Sequence, residues 1–108
     1  MLKRNITYHI SEDRIDRACD IITTIGLGEV VKERRAIDTQ GRLSFKCVTD
    51  TGVMLIFNAD KTKVVTLFIP DLHQVSWVYE GNTPSWLLKV VKKNRVHRER
   101  HHRLGYDK

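Results

Sequence analysis

The chain has 108 residues and a mass of 12.6 kDa, a length that limits it to one domain. Hydrophobic residues make up 41% and charged residues 30%, which excludes global disorder, a collagen-like repeat and a disulfide-dense scaffold. The formal net charge is +6. The longest apolar run, Val53-Met54-Leu55-Ile56-Phe57, is far short of the roughly 20 residues that span a bilayer. No basic segment leads into an apolar one in the manner of a signal peptide, so a cytoplasmic protein without a membrane partner is the expectation.

Asn5–Ile10 reads as a short strand or, from Thr7, as the opening of a helix. Ser11 is the expected N-cap, and Glu12 and Asp13 suit the positive end of the helix dipole. Ile15, Ala18, Cys19, Ile22 and Ile25 recur at three- and four-residue steps and predict one amphipathic face, closed by Gly26 and Gly28. Glu29–Ile37 follows as a charge-rich strand suited to a sheet edge. After a turn at Asp38-Thr39-Gln40-Gly41, Leu43, Phe45 and Cys47 alternate with polar neighbours as a half-buried strand does. Asp50-Thr51-Gly52 turns the chain into the apolar, central Val53–Asn58. A second turn at Ala59–Thr62 leads into Lys63–Ile69, which Pro70 ends. Strands joined by such short turns predict an antiparallel meander. The Ile15/Cys19/Ile22 stripe is the expected cover for the Leu43/Phe45/Cys47 face.

Cys19 and Cys47 have no CxxC spacing and read as reduced core residues, with a disulfide as the alternative. Asp71–Glu80 fits both periods, because Val75, Trp77 and Tyr79 alternate while Leu72, Val75, Val78 and Tyr79 share a helical face. Asp71 as N-cap and Gly81 as C′ favour a short helix. Thr83 as N-cap with Pro84 at N1 opens another, on which Trp86, Leu87, Val90 and Val91 make an apolar face. Both tryptophans, Trp77 and Trp86, read as core residues. The expected fold is therefore α+β: an N-terminal helix packed on a three- or four-stranded antiparallel meander, followed by two C-terminal helices. Residues 1–94 form the single domain, and residues 95–108 a basic C-terminal arm or helix extension.

Charge placement carries the functional reading. Residues 1–88 hold eleven basic and eleven acidic side chains, whereas residues 89–108 hold eight basic and two acidic. All of the excess lies at one end, which puts a polyanion, and nucleic acid first, among the partners. The bland alternative is a solubilising tail. The nucleic-acid-binding candidates are Lys89, Lys92, Lys93, Arg95, His97, Arg98, Arg100, His101 and Arg103. On a helix they spread around the axis, a distribution that suits phosphate neutralisation better than base reading. Only Tyr106 is aromatic within the arm, so no stacking platform is expected there.

His97 and His101 stand four apart, but the order is not H-E-x-x-H and the flanking arginines would repel a dication. No metal and no cofactor is expected. There is no G-x-S-x-G and no Gly-rich phosphate loop. Ribonuclease-type acid–base chemistry could draw on His9, Arg14, Arg17, His73 and the arm, but no catalytic residue is assigned.

In element order the chain resembles the RelE/ParE-type superfamily of small toxin ribonucleases and their non-toxin relatives. The opening Thr7-Tyr8-His9-Ile10-Ser11-Glu12-Asp13-Arg14-Ile15-Asp16-Arg17 resembles the first helix of small proteins encoded by phages of Gram-positive bacteria. Thr83-Pro84-Ser85-Trp86-Leu87 and Lys92-Lys93-Asn94-Arg95 are similar to an ending in the same group. The resemblance implies a phage or prophage origin and RNA ahead of DNA as the nucleic acid. Three readings follow: a non-catalytic nucleic-acid-binding protein, which the charge favours; a RelE-like endoribonuclease; and a protein-binding inhibitor or accessory factor that meets a host protein through a sheet edge or the Trp77/Trp86 surface.

Overall fold

The computed structural model describes residues 12–104, with the side chains of 15–104. The Asn5–Ile10 segment, His9, the Ser11 cap and Tyr106 lie outside those residues. Helix α1 spans Glu12–Thr24 and is followed by β1 (Val30–Ile37), β2 (Leu43–Thr49), β3 (Met54–Phe57) and β4 (Val64–Phe68). Three helices complete the chain: α2 (Leu72–Val78), α3 (Ser85–Lys93) and α4 (Arg95–Arg103). The four strands form one antiparallel sheet in the order β1-β2-β3-β4, the expected meander, with charge-rich β1 at its edge. Side chains shape its turns. Asp38 accepts from the amides of Gln40 and Arg42, and Asn58 from those of Thr62 and Lys63.

Strand alternation divides the buried side chains between two faces. Cys47, Leu55, Phe57, Val64 and Leu67 bury against Ala18 and Ile21 of α1. Val48 and Met54 bury on the other side, against Val75 and Val78 of α2 and Leu87 and Val91 of α3. The result is a three-layer α+β sandwich, in which α2 and α3 cover the face opposite α1. Double coverage explains why Val53–Phe57 is apolar without a break: a central strand buried on both faces has no solvent side.

The face that α1 presents differs from the expected one. Ala18 and Ile21 are buried and Ile25 packs beside them, whereas Ile15, Ile22 and Cys19 are exposed. The apolar sector of α1 is wider than the sheet can cover. The sheet takes the half that contains small Ala18 and leaves the Ile15/Cys19/Ile22 half in solvent, so Cys19 is not a core residue. Cys47 is buried, and both cysteines are free thiols.

Within the ambiguous segment 71–80 the helix is Leu72–Val78, opened by the expected Asp71 N-cap. Asp71 Oδ1 accepts from the Gln74 amide at 2.8 Å, and Gln74 Oε1 accepts from the Asp71 amide at 2.9 Å, a reciprocal capping box. At the other end Glu80, not Gly81, occupies the C′ position, with φ of 53°. The Glu80 and Gly81 amides bond to the carbonyls of Trp77 and Ser76, a Schellman closure. Helix α3 starts one residue later than expected. Pro84 is the N-cap with extended ψ of 146°, its carbonyl accepts from the Leu87 and Leu88 amides, and Thr83 Oγ1 is buried without a hydrogen-bond partner among the described residues. Trp77 and Trp86, expected in the core, are 39% and 46% exposed. Among the described residues no helix is long and apolar enough to cross a membrane.

Candidate nucleic-acid interface

The basic end of the chain is positioned by one buried asparagine. Asn94 separates α3 from α4, and its Nδ2 donates to the Thr51 carbonyl at 2.8 Å in the β2–β3 turn. The turn must be narrow there. A Cβ on Gly52 would lie 2.7 Å from Asn94 Nδ2 and 2.9 Å from Val90 Cγ1, and Gly52 has φ of +82°. Thr51 Oγ1 in turn donates to the carbonyl of Gly26 at 2.8 Å. The end of α1, the β2–β3 turn and the α3–α4 junction thus meet in one hydrogen-bonded knot.

From that knot α4 reaches α1. Asp20 Oδ2 accepts from Arg100 Nη2 and from His101 Nε2, the latter at 2.5 Å. His101 is 1% exposed. The Arg100 hydrogen bond, then that of His101, hold the Asp20 carboxyl below its ordinary range against the opposing effect of burial; Asp20 is therefore ionised and accepts both bonds. Helix α3 packs on one face of the sheet and α4 is anchored to the helix on the other face, so residues 95–103 are an ordered helix.

The nine candidate residues divide accordingly. Lys89, Lys92 and Lys93 are exposed on α3, and Arg103 is exposed at the end of α4. His97 and Arg98 are half-buried. Arg95 Nε donates to Glu99 Oε1 at 2.8 Å one turn along, and Arg100 and His101 are directed at Asp20. The i, i+4 relation of His97 and His101 therefore does not gather two imidazoles at one exposed point. Among the described residues no group of three His, Cys, Asp or Glu side chains is disposed to hold a metal ion.

A second basic cluster went unforeseen because residues 1–88 are neutral in sum. Arg34 pairs with Lys46 across β1 and β2, and both meet Trp77 of α2. The Arg34 guanidinium lies 4.1 Å from the Trp77 ring centroid, its Nη1 donates to the Trp77 carbonyl at 2.6 Å, and Lys46 Nζ lies 5.0 Å from the same ring. Lys32 Nζ is 5.9 Å from the Tyr79 ring. The alternation of Lys32 and Arg34 was a visible signal; the partnership with Lys46 and Trp77 depends on strand register and helix docking.

On the opposite face, Glu33 bonds Lys61 Nζ at 2.6 Å and receives the Cys47 thiol at 3.8 Å. Burial, reinforced by the Glu33 charge, pushes the Cys47 thiol up to about 12, so it is protonated at neutral pH and is no nucleophile. Arg17, one of the cations available for acid–base chemistry, is buried and donates to Thr66 Oγ1 at 2.9 Å; His73 is exposed on α2. Arg17 stands on α1 and His73 on α2. Comparison with protein-family models, with characterised proteins and with solved structures returned no match.

Proposed function

We propose that the protein binds nucleic acid without cleaving it, RNA in preference to DNA, and that the exposed cations of α3 and α4 hold the phosphate backbone. One observation carries this reading: the whole excess of positive charge lies in residues 89–108. Within that segment Lys89, Lys92, Lys93, Arg98 and Arg103 have no acidic partner among the described residues. Cations spread over two consecutive helices neutralise phosphates and do not select bases, so affinity should depend strongly on salt and weakly on sequence. The preference for RNA, and a phage or prophage origin, rest on the resemblance to RelE/ParE-type proteins.

The test is a titration of labelled RNA and DNA with the purified chain over a range of salt, with the products examined for cleavage. Four or five phosphate contacts give log K against log salt a slope of roughly −3 to −4. Replacing Lys89, Lys92 and Lys93 by Gln should flatten that slope by roughly 2 to 3 units at constant sequence preference. A triple variant that binds with unaltered affinity and slope would sink the reading. Discrete RNA products formed by the wild type would favour the RelE-like endoribonuclease in its place.

A further inference from the structure

Two tryptophans are exposed, and their rings are in different states. Trp77 is occupied: Arg34 and Lys46 lie within 5.0 Å of its centroid. Trp86 has no cation over its ring among the described residues, belongs to neither buried cluster, and is 46% exposed. Such a ring on the first turn of α3 offers a free flat face.

Its neighbours on the helix are cations. At 3.6 residues per turn, Lys89 and Lys93 stand three and seven positions on and share the side of α3 that carries Trp86, while Leu87 and Val91 point into the core. Lys89 and Lys93 are both exposed, and Ser85–Lys93 contains no acidic residue. From Trp86 to Lys93 the axial rise is about 10 Å, long enough to follow a strand past one nucleotide.

We propose that Trp86 stacks on an unpaired base while Lys89 and Lys93 hold the flanking phosphates, so that the ligand is a single strand and not a duplex. The inference rests on the nucleic-acid reading above and adds its substrate class. In a duplex the base faces are already stacked on one another, whereas every base of a single strand presents one. A neutral aromatic face flanked by two cations matches the alternation of base and phosphate along such a strand.

Fluorescence anisotropy with labelled oligo(U) and with an RNA duplex of equal length, at one salt concentration, tests this on the full chain. Trp86→Leu should weaken oligo(U) binding about 5- to 100-fold and leave duplex binding unchanged, while Trp86→Tyr should retain most of it. Oligo(U) should also quench the tryptophan fluorescence of the wild type and of Trp77→Phe, but not of Trp86→Leu. Equal oligo(U) affinity for Trp86→Leu and wild type overturns the inference, leaves the nucleic-acid reading standing, and returns the exposed ring to a protein contact. A wild type that binds neither ligand at low salt overturns both.

Discussion

Asp20 joins residues 80 and 81 positions away in the chain. Its carboxylate accepts from a partly exposed guanidinium and a buried imidazole, so the loss of its charge leaves His101 with an impaired partner. Asp20→Asn should destabilise the protein by about 2 kcal/mol in chemical denaturation, the range for hydrogen bonds to charged groups. The pH dependence has a definite sign. Because the folded state holds the Asp20 carboxyl below its ordinary value of 3.8, its contribution is complete above that value and is lost as pH falls through the folded value. The acid limb of a stability–pH curve should therefore be shallower in Asp20→Asn than in the wild type. Glu80 is the opposite case, a residue that costs stability. It sits in the left-handed region at φ of 53°, with Arg34 Nη2 3.9 Å from its exposed carboxylate. An exposed pair at that distance contributes little, so Glu80→Gly should raise stability by about 1 kcal/mol in thermal melts. A lower melting temperature would show that the ion pair outweighs the backbone strain.

Among the elements, α4 is the one whose sequence and packing point in different directions. RVHRERHHR has a single aliphatic residue, Val96, and that residue is exposed. Nothing in the apolar pattern announces that this helix docks. It is held by polar groups instead: Asn94 on Thr51 at its start, and Arg100 and His101 on Asp20 near its end. Ending the chain after Asn94 should lower the melting temperature, since the bonds to Asp20 go with α4, and should reduce nucleic-acid affinity in part, since Lys89, Lys92 and Lys93 remain on α3. A truncated chain with wild-type stability would mean that the Asp20 bonds only match those that water supplies. Helix α1 has the converse ambiguity. Periodicity gave one stripe, Ile15/Ala18/Cys19/Ile22/Ile25, and passed over Ile21; docking on the sheet buried Ala18 and Ile21 and left Ile15, Cys19 and Ile22 exposed.

At the scale of the molecule, the Cα radius of gyration is 13.1 Å, close to the roughly 13 Å expected for a compact chain of about 100 residues. The features legible in the amino-acid sequence alone are ones that depend on neighbours a few positions apart. The period-two alternation of β2, the unbroken apolar β3, the turns at Asp38–Gly41 and Ala59–Thr62 and the Asp71 cap are local, and from them the meander and the following helices were legible. So was the basic end, because a count of charge needs no coordinates. Tertiary structure decided the rest. It put α2 and α3 on the face opposite α1, turned Trp86 outward, brought Arg34 and Lys46 to Trp77, and took Arg100 and His101 from the basic surface to Asp20. Each of these joins residues from separate elements, up to 81 positions apart. Periodicity tells which side of an element is apolar; it carries no information about which distant polar group that element will meet once the faces are closed.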